Sequence, residues 1–115
     1  QDKECYQFIV APNGRIADFK FPAENITAAL KWNAQDLQFK VLREDTTWTA
    51  EIAIPLSNLT FAKPPQDCDF IVNFSRNHRF RDAQDKAWKW EQSCWLPTYG
   101  PFHSYDKFGK MHLTK

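Results

Sequence analysis

Glycine is scarce, three residues in 115, and with a quarter of the chain charged this excludes collagen-like and low-complexity architectures. Long apolar runs are missing too. No window approaches the ~18 residues that a membrane-spanning helix needs, so no membrane span is expected. The opening Gln1-Asp-Lys-Glu reads as neither a secretion signal nor a targeting motif, which suggests a soluble chain that has been processed or excised. Charge of one sign is absent: fifteen basic and fourteen acidic side chains leave a net charge of +1. Such a chain has no field to draw in a phosphate backbone or an anionic leaflet, which argues against nucleic acid as a partner.

Cysteine is sparse, with Cys5, Cys68 and Cys94 far apart and none in a Cys-x-x-Cys pair, so zinc-ribbon and thioredoxin-type sites fail. One of the three must be left over, and no bridge on which the fold depends is expected. His78, His103 and His112 lack both i, i+4 spacing and a cysteine companion, so they make no zinc site. There is no Ser-His-Asp arrangement and no glycine-rich phosphate loop. A glycosidase would need two carboxylates about 5–10 Å apart across a cleft. Glu51 stands on a predicted strand and Asp82, Asp85 and Glu91 share a predicted loop, so the chain is not expected to be an enzyme.

What the chain does have is apolar and aromatic residues: 43% hydrophobic content with ten Phe, five Trp and three Tyr. This suffices for one core, and the whole chain, 1–115, is read as a single domain, since domains most often run to roughly 100–150 residues. Tyr6, Phe8 and Val10 alternate onto one face before a Pro12-Asn-Gly14 turn, and a returning strand carries Ile16, Asp18 and Phe19. Phe21-Pro22 ends that hairpin, and residues 23–33 read as a loop or short helical turn. Leu37, Phe39 and Val41 share a face in a third strand. The next has Trp48, Ala50, Ile52 and Ile54 inward and stops at Pro55, which has no N–H for a ladder. Leu56-Ser-Asn-Leu59 resembles one helical turn, and Ala62-Lys-Pro-Pro-Gln-Asp67 a rigid connection that crosses to another sheet. A single strand is expected over 70–77, with Phe70, Val72 and Phe74 inward, and a last one over 108–113. The predicted core is thus Phe8, Trp48, Ile52, Ile54, Phe70, Val72 and Phe74, in an all-β, antiparallel two-sheet sandwich of jelly-roll type.

Residues 80–107 show no clean period of either kind, and a loop this long inside a small domain is usually functional. It carries Trp88, Trp90, Trp95, Tyr99, Phe102 and Tyr105, flanked by Arg79, Arg81, Asp82, Glu91, Gln92 and His103. Exposed rings beside planar hydrogen-bonding side chains are what sugar recognition requires, the rings for the CH faces and the polar groups for the hydroxyls. The triplets Asn25-Ile-Thr, Asn58-Leu-Thr and Asn73-Phe-Ser match the glycosylation acceptor pattern and lean toward a secreted protein, extracellular or periplasmic.

Several blocks occur in order: Tyr6 to Val10 with Pro12-Asn-Gly14, Trp48-Thr-Ala-Glu-Ile-Ala-Ile-Pro55, Phe70-Ile-Val-Asn-Phe-Ser-Arg-Asn77, Trp95-Leu-Pro97 and Phe102-His-Ser-Tyr-Asp-Lys-Phe-Gly109. Together they resemble the C-terminal two-thirds of a family 9 carbohydrate-binding module. The resemblance implies a two-sheet β-sandwich, often joined to a secreted glycoside hydrolase. It also implies a non-catalytic role in which aromatic rings clamp a polysaccharide or oligosaccharide. One clamp position of the family falls on Phe102 and a family Gln falls near Asn73, while the family's second ring belongs to strands before Cys5; within this chain Trp88, Trp90 or Tyr105 is the candidate second ring, with Asn73, Arg76, Asn77 and Arg79 as candidate hydroxyl contacts. Where the family has an Arg and an Asn, this chain has Ile9 and Ala11, and those contacts are lost. The family's opening strands have no counterpart before Cys5, so a fragment of a larger domain, or a neighbouring domain over the open sheet edge, is expected. No cofactor is expected, although the resemblance allows calcium bracing the loops as in some relatives.

Two other readings use the same sandwich. One is a structural module that has lost ligand binding, as Ile9 and Ala11 suggest. The other is a haem-carrying electron-transfer module, which would rest on Met111, the only methionine, and the adjacent His112. These two neighbours must face opposite ways on one strand.

Overall fold

The computed structural model describes residues 4–60, 68–101 and 103–114, so the expected 62–67 connection lies outside the described residues. Two compact units divide the chain, Gln1–Ala62 and Lys63–Lys115. The fold is mostly β, with eight strands among the described residues, all in antiparallel pairs.

In the first unit, β1 (Cys5–Val10) and β2 (Ile16–Phe21) form the expected hairpin, with Val10 opposite Ile16 and Cys5 opposite Phe21. Gly14 makes the turn possible at φ 80°, a conformation that side chains resist. The short helix α1 (Ile26–Ala29) starts at Asn25, whose side-chain oxygen accepts the Ala28 N–H at 2.9 Å. Phe19 and Ala29 are the buried apolar residues among those described in this unit. Trp32 then packs against Tyr6 and Phe8, with ring centroids 5.1 and 6.0 Å away, and Asp18 accepts the Ala34 N–H at 2.6 Å. The second pair is β3 (Gln38–Arg43) with β4 (Trp48–Ala53), Phe39 opposite Ile52 and Val41 opposite Ala50. A 3-10 turn, Leu56–Asn58, follows Pro55 as the sequence suggests.

In the second unit, β5 (Cys68–Val72) pairs with β8 (Gly109–Leu113), and β6 (Ser75–Arg81) pairs with β7 (Trp88–Cys94). Here the expectation of one strand over 70–77 is corrected. Asn73 interrupts it: its Oδ1 accepts N–H groups from Phe74 at 3.0 Å and Leu96 at 3.1 Å, and its Nδ2 donates to the Leu96 carbonyl at 2.9 Å. A side chain that takes over backbone hydrogen bonds ends one ladder and lets the next begin with a new partner. The supposed loop over 80–107 is also corrected, because β7 lies within it.

Three residues of the predicted core stand open: Trp48 and Ile52 are 39% and 40% exposed, and Phe74 is 60% exposed. Phe8, Ile54, Phe70 and Val72 are half-buried. The physical reason is that each described sheet has two strands, and no hydrogen-bonded ladder joins one pair to another among the described residues. Alternation selects a face, but only a second layer buries it.

Candidate functional site

The β6–β7 ribbon is closed by a turn that the Asp82 side chain builds. Its Oδ1 accepts the Gln84 and Asp85 N–H groups at 2.8 and 3.3 Å, while Lys86 takes a left-handed φ of 57° and donates to the Asp82 carbonyl at 3.1 Å. Short Asp side chains make such turns because they bond their own backbone two residues on. Lys89 reaches back to Asp82 at 2.7 Å and Asp85 at 3.1 Å. That ammonium, followed by the Gln84 and Asp85 amides, holds the Asp82 carboxyl below its ordinary pKa.

Residues opposite each other in an antiparallel pair point to the same side. The register sets Arg81 opposite Trp88, Arg79 opposite Trp90, Asn77 opposite Gln92 and Ser75 opposite Cys94. All eight therefore lie on one face of the ribbon. Arg76, His78, Phe80, Lys89, Glu91 and Ser93 lie on the other. On the first face Trp88 is 58% and Trp90 64% exposed, so both rings are available to a partner. The Arg79 guanidinium lies over both indoles, 4.6 Å from the Trp88 centroid and 5.5 Å from that of Trp90, and Arg81 lies 6.0 Å from Trp88. Each exposed contact of this kind contributes about 0.5–1 kcal/mol, enough to bias the side chains toward one arrangement. Beside them Gln92 Nε2 donates to Asn77 Oδ1 at 3.2 Å, and the Ser75 hydroxyl donates to the Cys94 sulfur at 3.4 Å.

Of the residues proposed from sequence, Asn77, Arg79, Trp88 and Trp90 are thus brought together. Arg76 is on the opposite face. The Asn73 amide is engaged with Phe74 and Leu96. Tyr105 sits in a 3-10 turn, Tyr105–Lys107, with its ring edge-on to Phe108 at 5.5 Å. Phe102 lies outside the described residues. Arg81 and Gln92, read in the sequence only as flanking residues, join the face. The alternation Trp88, Trp90, Gln92 was the signal that could have placed them. Tyr99 is 92% exposed and holds φ 52°, a left-handed conformation costly for an aromatic residue.

Elsewhere in the unit, Met111 pairs with Phe70 and His112 with Asp69, on opposite faces of β8, and the His112 ring contacts Asp69 at 2.8 Å. One iron could not take both from this strand. Calcium, which the sequence resemblance allows, needs a cage of carboxylate and carbonyl oxygens. Among the described residues no three or more His, Cys, Asp or Glu are grouped to hold a metal ion. No helix among the described residues is long and apolar enough to cross a membrane.

Comparison with models of known protein families, with curated proteins and with solved structures finds no match.

Proposed function

We propose that this chain is a non-catalytic carbohydrate-binding module, similar to those of family 9, and that it serves a secreted protein such as a glycoside hydrolase. The observation that carries the reading is the exposed face of the β6–β7 ribbon, where two indoles stand beside guanidinium and carboxamide groups. Indole rings offer a planar apolar surface to the CH face of a pyranose, and Asn77, Gln92 and Arg79 offer hydrogen bonds to its hydroxyls. The ring platform moves from Phe102, named from the family pattern, to Trp88 and Trp90.

The fold that goes with this reading is the two-sheet sandwich. The β3–β4 pair supports it by a largely binary pattern: Phe39, Val41, Trp48, Ala50 and Ile52 share one face with Arg43, while Gln38, Lys40, Thr49 and Glu51 share the other with Leu42 and Ala53. A two-stranded ribbon alone is marginal in water, and an apolar face of this kind gains its stability when a second layer covers it.

Affinity electrophoresis over a panel of neutral and acidic polysaccharides, followed by calorimetry on oligosaccharides, tests the function. Trp88→Ala and Trp90→Ala are each expected to weaken binding about tenfold or more, that is by about 1.4 kcal/mol, with the melting temperature nearly unchanged. Absence of binding to any glycan at millimolar concentration would remove the reading. The structural-module reading would then take its place; it is favoured by Ile9, which is 47% exposed at a position where the family has a polar contact.

A further inference from the structure

The ribbon face carries two guanidiniums and no carboxylate. The acidic groups of β6, β7 and their turn are directed elsewhere: Glu91 lies on the opposite face, 3.4 Å from His78, and Asp82 and Asp85 hold Lys89. Among the described residues neither Arg79 nor Arg81 has an ion pair. Arg81 donates one bond through Nε to the Lys86 carbonyl at 2.9 Å, which orients its guanidinium and leaves its terminal nitrogens available. The Arg79 guanidinium carbon lies 4.6 Å from the Trp88 centroid and 5.5 Å from that of Trp90, contacts made with the rings that use no carboxylate partner.

Charge on this face has one sign. The two arginines donate only, while the acceptors beside them, the Gln92 and Asn77 carboxamide oxygens and the Ser75 hydroxyl, are neutral. A neutral sugar, whose hydroxyls need acceptors as well as donors, would leave the two guanidiniums facing groups that carry no charge. From this we infer that the ligand is an acidic glycan built of uronate residues, with a sugar ring on the indoles and its carboxylate forked by Arg79, Arg81 lying alongside. This rests on the sugar-binding reading above. A guanidinium presents two parallel N–H groups to a planar carboxylate, the geometry of the strongest charge-assisted pairs. A nucleic-acid strand fits less well: a run of phosphates would meet only two cations on this face, and elsewhere on the ribbon Asp82, Asp85 and Glu91 offset Arg76, Lys86 and Lys89.

Calorimetry on the full chain with three probes decides: a neutral xylo-oligosaccharide, an oligogalacturonate of equal length, and a short oligothymidylate. The expected result is that oligogalacturonate binds at least tenfold more tightly than the neutral sugar. Added salt weakens that binding, and both Arg79→Gln and Arg79→Lys abolish the preference, the second because it keeps charge but loses the fork. Both variants are checked by thermal melting, and Arg81→Gln, which should give a smaller loss in the same direction, serves if either fails to fold. Equal or tighter binding of the neutral sugar would overturn the acidic-ligand inference and leave the sugar-binding reading standing. Binding of neither sugar would overturn both, and so would binding of oligothymidylate alone.

Discussion

Glu4 shows how one exposed side chain can be strongly biased by its neighbours. The Thr60 hydroxyl, the Lys20 ammonium 3.0 Å away and the Tyr6 hydroxyl at 2.9 Å all favour its ionised form, lowering the pKa from 4.5 to about 2. A carboxyl whose folded pKa lies below its unfolded one stabilises the fold above the unfolded pKa, and the contribution disappears as pH falls through the folded value. Melting curves of the native chain and Glu4→Gln should therefore differ at neutral pH and converge between pH 4.5 and about 2. Asn73 is a second case. The sequence pattern offers it as a sugar contact, and its amide bridges Phe74 and Leu96 with three bonds inside the second unit. Asn73→Ala leaves those backbone groups without their partner and should cost about 1–3 kcal/mol in urea denaturation.

At the scale of elements, the strand ends are set by side chains as much as by the backbone. Gly109, the first residue of β8, is needed because a Cβ there would lie 2.8 Å from the Trp95 ring and 2.8 Å from the Leu96 side chain. Trp95 is also in ring contact with Phe74, at 5.9 Å. The Phe-Gly step of the sequence pattern is thus a packing requirement, in which β8 passes close under the half-exposed Trp95 ring. Gly109→Ala should cost about 1–3 kcal/mol by forcing that ring outward, read as a lower midpoint in denaturant with the slope unchanged. The β6–β7 hairpin was missed for a related reason. Its alternating residues are Trp88, Trp90 and Gln92 against Lys89, Glu91 and Ser93, and neither set forms the apolar stripe by which a strand is usually recognised.

On the scale of the whole molecule, the open apolar face of β3–β4 is the feature that the proposed sandwich must account for. If a second layer covers it, Ile52→Ala should cost about 2–5 kcal/mol, the range for emptying a buried site. A loss of about 1 kcal/mol or less would match the 40% exposure of Ile52 in the ribbon itself and count against the sandwich. This substitution separates the proposed fold from the paired strands more directly than any change at the sugar site, since Ile52 belongs to the first unit and the ribbon to the second.

Local rules were sufficient for much of the chain. The Asn13-Gly14 turn, the strands around Phe8, Phe39, Ile52 and Met111, and the helical turns near Ile26 and Leu56 could be read from spacing alone, because each depends on residues within a few positions of one another. The proposed binding face was only half legible. The residue types were visible in Asn77, Arg79, Trp88 and Trp90, but their shared face depends on a register between strands whose partners lie up to nineteen positions apart, as Ser75 and Cys94 do. Tertiary structure alone joined the Asn73 amide to Leu96, turned Arg76 away and added Arg81 and Gln92. A hydrogen-bond register moved by one residue would exchange the two faces of the ribbon, and no property of a single segment fixes that register.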